Sequence, residues 1–238
     1  MSDPKLTYLF LMLGTLLIPF VLSFDRKVHF YKRWRHLLPA ILIPAFLFII
    51  WDIIFTAYGI WHFSPVYTIG TDIFFLPIEE WMFFLFVPYA CVFVYDVVKY
   101  YVPGLNRPSA GKWITVFFSG FAVIMLISNI DKTYTVVVML VLFLTLMVQF
   151  PGQRINKYMF RFYVAYLVCL VPFALVNGVL TALPVVIYND MENIGIRLYT
   201  IPFEDMFYFM SLFLMNIFLY EYFISRSTGK FSPVVGNS

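Results

Sequence analysis

Charge is scarce in this sequence. Only 12% of its 238 residues are Asp, Glu, Lys or Arg, while 62% are hydrophobic. A soluble domain carries about a quarter charged and about half apolar residues, so the balance excludes that class and indicates an integral membrane protein. Cysteine is nearly missing: Cys91 and Cys169 each sit inside an apolar run, which excludes a disulfide framework and a CxxC metal or redox motif. No G-x-G-x-x-G follows a strand-like run, so no dinucleotide fold is indicated. Metal-ligand spacing is also missing, with His29 and His36 in a basic loop and His62 isolated. The opening MSDPKLTYLF offers no clear small-residue cleavage site, so the first apolar run reads as a retained helix.

What is plentiful is aromatic side chain, 21% of the sequence with 29 Phe. Seven apolar segments are long enough to cross a hydrocarbon layer that needs about 20 residues. They fall at 6–24, 37–58, 73–95, 113–130, 134–150, 162–183 and 201–224. None alternates as barrel strands do, so the fold class is all-α with seven transmembrane helices. Lys and Arg divide unevenly between the two sides. DRKVHFYKRWRH, DVVKYYVPGLNRPSAGK, PGQRINKYMFR and the C-terminal tail hold thirteen, against Lys5, Lys132 and Arg197 opposite. The bias places the C-terminus in the cytoplasm and the N-terminus outside, in a bilayer expected to be a bacterial inner membrane. The same bias accounts for the basic loops, and no nucleic-acid partner is expected.

The chain repeats itself. Shifted by 125 residues, Pro77 meets Pro202, Glu79 meets Glu204, Glu80 meets Asp205, Tyr95 meets Tyr220 and Asp96 meets Glu221. Ile69-Gly70 meets Ile194-Gly195, and Asp52 meets Asn177. The organisation expected is a three-helix repeat over 1–100, a linker and connecting helix over 101–130, a second repeat over 131–225 and a cytoplasmic tail over 226–238. Two parallel copies of an odd-numbered bundle need one extra crossing, giving a 3+1+3 arrangement around a pseudo-twofold axis along the membrane normal.

The repeated words LPIEEWMFF and IPFEDMFYF bring acids into this frame. Counted from the expected helix ends, Glu79 and Asp52 lie about 9 Å deep at 1.5 Å per residue. Glu80, Glu204, Asp205 and Asn177 belong to the same layer, and no Lys or Arg does. Ionisable groups at such depth usually face a bundle interior and are functional candidates. Without a cation, crowded acids in low dielectric cannot all ionise, and a neutral acid beside a carboxylate is an acid–base pair. Glu79, Glu80, Glu204, Asp205 and Asp52 are therefore candidate catalytic groups. Asn177, Trp51, Phe55 and Trp81 are candidates to contact a substrate, as are Phe83, Phe84, Phe207 and Tyr208. Ring faces also stabilise cations where water is excluded.

The doubled P-x-E-[ED] motif, the WDIIFTAYGIWHF stretch and the layout resemble the flavin-independent lycopene cyclases of the heterodimeric type, here as a single fused chain. The resemblance covers residues 1–225. It implies that Glu79, Glu80, Glu204 and Asp205 are essential, and that linear lycopene is cyclised to β-carotene without a redox cofactor. It also implies a lipophilic carotenoid substrate and, as possible partners, other enzymes of that pathway. The halves differ, since Asn177 replaces Asp52 and GIWHF has no Trp-rich counterpart. Two other classes compete: a 3+1+3 transporter, and a membrane prenyltransferase suggested by NDMEN at 189–193.

Overall fold

The computed structural model describes residues 3–149 and 155–227. Seven helices account for most of them: α1 Thr7–Leu22, α2 Trp34–Ala57, α3 Ile78–Tyr101, α4 Pro108–Ser128, α5 Thr133–Met147, α6 Ile155–Ala182 and α7 Phe203–Ser227. Short 3-10 segments, Pro4–Leu6 and Phe30–Arg33, lead into α1 and α2. Six of these helical stretches are long and apolar enough to cross a membrane. The chain is an all-helical integral membrane protein. Inside lipid a helix satisfies nearly all of its own backbone, so the chain stays helical through Pro19, Pro44, Pro88 and Pro172 although each lacks the N–H that a helix would use. The faces turned outward carry large apolar side chains such as Ile18, Phe46, Ile124 and Leu175.

The fifth span is shorter than expected. α5 has 15 residues, roughly 22 Å at 1.5 Å per residue. The expected end of that span, residue 150, and most of the expected tail lie outside the described residues.

The outer loops correct the sequence reading more substantially. Residues 73–77 do not belong to the third helix. They form a hairpin in which β2 (Asp72–Ile73) pairs with β3 (Leu76–Pro77), and α3 starts only at Ile78. The offset copy does the same, with β5 (Arg197–Leu198) pairing with β6 (Ile201–Pro202) ahead of α7. The cause is local. Pro77 is the N-cap in extended geometry, and Phe74 and Phe75 both have positive φ, the twist a two-residue turn between strands requires. Tyr199 repeats the positive φ of Phe74, and Gly195 that of Gly70. The paired acids consequently stand in the first turn of their helices rather than two turns inside them.

A third pairing joins the two halves. β1 (Trp61–Phe63) runs antiparallel to β4 (Val186–Tyr188) with His62 opposite Ile187. Those two residues are equivalent under the 125-residue offset, so the ribbon maps onto itself when the repeats are exchanged. Helix packing follows the same rule: α1 rests on α3 and α5 on α7, while α2 packs on α7 and α6 on α3.

Equivalence across α1 and α5 is displaced by one residue. The Tyr8 amide donates to the Tyr67 carbonyl at 3.2 Å, and the Tyr134 amide to the Glu192 carbonyl at 2.8 Å. Tyr67 and Glu192 are 125 apart, whereas Tyr8 and Tyr134 are 126 apart.

At the opposite end, α3 and α7 exchange hydrogen bonds. Tyr95 donates to Glu221 at 2.7 Å, and Tyr220 donates to Asp96 at 2.5 Å. Each tyrosine thus satisfies the acid of the other repeat, and Arg33 and Lys99 supply cations to Asp96 and Glu221. Asp96 is fully buried, so removing its charge leaves Arg33 without its partner. Asp96→Asn is expected to cost about 2 kcal/mol, read as a lower thermal unfolding temperature in detergent, while the exposed Lys5→Gln leaves it unchanged.

Candidate active site

Three of the five candidate acids meet. Asp52 from α2, Glu80 from α3 and Asp205 from α7 line one chamber of about 50 Å³ beneath the β1–β4 ribbon. All three are at most 7% exposed. Among the described residues lining it there is no Lys or Arg. Arg197 is close by but is not among the lining residues; it pairs with Asp190 and lies 5.9 Å from the centre of the Tyr188 ring. Among the described residues no acid, His or Cys cluster is arranged to hold a metal ion.

Neutral donors take the place of cations. Tyr134 donates to Asp205 Oδ1 at 2.6 Å, while Asn177 and Tyr188 donate to Oδ2 at 2.7 and 2.8 Å. Tyr8 donates to Glu80. Asp52 is treated differently, because its buried Oδ2 has no hydrogen-bond partner among the described residues. Burial, reinforced by Asp205, pushes the Tyr188 hydroxyl well above its ordinary value, so this phenol stays a donor.

The first acid of each pair faces elsewhere. Glu79 Oε1 accepts the Ile69 amide at 2.8 Å, and Glu204 Oε1 accepts the Ile194 amide at 2.9 Å. Thr135 adds a second donor to Glu204 at 2.6 Å. Neither glutamate lines the chamber, although both are completely buried. Their contacts tie the outer loops onto the helix starts. A helix N-terminus suits a carboxylate, which explains why two buried acids stand side by side there.

The aromatic candidates divide in the same way. Tyr208 and Phe83 line the chamber, and Trp51 packs on Tyr208 with ring centroids 4.8 Å apart. Phe55 supports the wall from behind, against Trp61 and Tyr134. Trp81 turns to the hairpin and donates to the Ile73 carbonyl at 3.3 Å. Phe84 lies in the core against Phe48, and Phe207 faces α4, 5.1 Å from Phe121. The phenols Tyr8, Tyr134 and Tyr188 were not legible as site residues. Tyr8 and Tyr134 do recur in the sequence, but at an offset of 126 rather than 125.

NDMEN is tied to its own loop and to the start of α5, where the Glu192 carbonyl accepts the Tyr134 amide. Asp190 pairs with Arg197 and accepts from Asn193 at 3.3 Å.

The family model described as lycopene cyclase matches residues 5–98 and again 131–223. The chain belongs to the lycopene cyclase family, as a fusion of two repeats, and a carotenoid substrate is thereby implied. The matched stretches reproduce the one-residue difference seen between α1 and α5, since their starts are one residue further apart than their ends. No curated protein and no solved structure shows a match.

Glu204→Ala removes an anchor of the second outer loop. It is expected to cost about 2 kcal/mol, as for other buried charged hydrogen bonds, and to speed proteolysis within 189–199. Glu204→Gln keeps an acceptor oxygen and should do neither.

Proposed function

We propose that this chain is a lycopene β-cyclase acting by acid–base catalysis without a redox cofactor, and that the chamber of Asp52, Glu80 and Asp205 is where each ring closes. The observation that carries this reading is the contrast among three buried carboxyl groups in one space with no Lys or Arg among its described lining residues. Asp205 accepts three hydrogen bonds, an environment suited to a carboxylate, which has only acceptor sites to offer. Asp52 Oδ2 accepts none among the described residues, an environment suited to a neutral acid.

On this reading Asp52 gives its proton to the terminal trisubstituted alkene of lycopene, leaving a tertiary cation. The neighbouring double bond attacks that cation, one carbon–carbon bond forms, and a six-membered ring cation results. Asp205 removes the adjacent ring proton, and its bonding pair becomes the new double bond of a β-ionone end. One proton enters and one leaves, so the change is an isomerisation. Glu80, held by Tyr8, stands beside Asp52, and the Tyr188 and Tyr208 hydroxyls offer a path for the proton back to the acid. Trp61, Phe63, Phe83 and Phe209 present rings to the chamber, where they would stabilise the cations. Glu79 and Glu204 position the loops above.

We further propose that residues 1–100 and 131–225 are parallel repeats joined by α4 in a 3+1+3 arrangement, with the N-terminus outside and the C-terminus in the cytoplasm of a bacterial inner membrane. The self-matching β1–β4 ribbon and the crossed Tyr95–Glu221 and Tyr220–Asp96 bonds support a twofold axis between them.

Expression in bacteria that accumulate lycopene, followed by chromatography of the pigments, tests this reading. Wild-type protein should yield β-carotene. Asp205→Asn and Asp52→Asn should each lower the yield about 100-fold or more, the usual scale for removing a positioned acid or base. Tyr134→Phe, which withdraws one donor from Asp205, should lower it by roughly tenfold. Unchanged yields in both acid variants, with normal membrane levels, would overturn the assignment.

A further inference from the structure

A second cavity adjoins the chamber. It has a volume of about 400 Å³ and is a groove between α1, α3 and α6 whose rim, including Ile18 and Leu175, is exposed. Phe83, Phe173, Asn177 and Phe209 line both spaces, so the two meet at a shared neck. From Phe83 to Val94 along α3 the slot extends roughly 16 Å at 1.5 Å per residue, away from the acids. Its walls are almost wholly apolar, including Gly14, Ala90, Cys91, Pro172 and Val176.

The repeat gives this slot a built-in comparison. Across α1 and α5, Gly14 and Thr15 correspond to Leu140 and Val141. Across α3 and α7, Ala90 corresponds to Met215, and across α6 and α2, Val176 corresponds to Trp51. At every one of these four positions the second set is larger or wholly apolar. Trp51, Val141 and Met215 pack into a cluster with Phe48, Ile49 and Leu212. What is open on the α1/α3/α6 side is filled on the α5/α7/α2 side by Trp51, Val141 and Met215, whereas Leu140 stands exposed outside that cluster. Gly14 is central to the difference, since a Cβ built there meets nothing within 4 Å.

We infer that the α1/α3/α6 slot is the subsite for the unreacted conjugated chain of the substrate while one end group occupies the acid chamber, and that the chain therefore enters from one side of the molecule only. This rests on the cyclase reading above. The occupant is a linear hydrocarbon because the slot is long, lacks charged lining groups and opens at its neck onto the carboxylates. A lipid acyl chain would suit the walls, but it would gain nothing from the neck.

Gly14→Leu and Ala90→Met place on the slot wall the larger side chains that the other repeat carries at these positions, and Leu140→Ala serves as an exposed control outside the slot. Purified proteins in liposomes are assayed for conversion of lycopene over a range of concentrations, with helicity and gel filtration reporting the fold. Both slot variants should keep the fold and lose on the order of tenfold in kcat/KM, the effect of about 1.4 kcal/mol of lost binding. The loss should come largely through KM, because the acids are untouched. Leu140→Ala should match the wild type. If either slot variant stays folded and cyclises at the wild-type rate, the slot holds lipid or nothing and the inference falls. If the wild type itself forms no ring, it is the cyclase reading that fails.

Discussion

The structure depends on keeping three carboxyl groups buried in one space with no Lys or Arg among its described lining residues. Isolated carboxylates are expensive to bury, so every neighbouring element is committed to managing them. Tyr8 and Tyr134 reach across from the first helix of each repeat, and Tyr188 comes from the ribbon that joins the repeats. These are donors without charge. An arginine in the same place would pin the acids as carboxylates, and the proton transfer proposed here would be lost.

Duplication explains how such a chamber arises. A single repeat contributes one wall of acids and phenols, and exchange of α2 onto α7 and α6 onto α3 brings two walls face to face. The copies then diverge at the chamber and beside it. Asp52 in one half is Asn177 in the other, and that amide is one of the donors to Asp205. Ala90 and Val176 are Met215 and Trp51, which pack into the core, so one slot is open and its counterpart filled. By contrast, the loop-anchoring bonds of Glu79 and Glu204 are the same in both copies, as are the hairpins they secure.

Much of this was legible in the sequence. The apolar runs, the doubled motif and the near-constant offset identify helices, repeat and acid layer, because lipid permits few other solutions. Three features escaped. The hairpins were hidden because Phe74, Phe75 and Tyr199 take positive φ, a conformation that their residue types do not signal. The Tyr8–Tyr134 pair was hidden because a gapless offset misses it by one residue, a slip that falls between the first and second helices, where loop length is unconstrained. Which acid of each pair faces inward also could not be read from adjacency. It depends on where the helix begins, and the turn ahead of Pro77 decides that.

The central claim is that a protein-bound proton starts ring closure, and solvent deuterium tests it most directly. Purified enzyme equilibrated in D₂O and given lycopene for a single turnover, with neither flavin nor nicotinamide added, should yield a cyclised end carrying one deuterium at the carbon that was protonated. A ring formed without solvent deuterium, or formed only when a redox cofactor is supplied, would contradict the account.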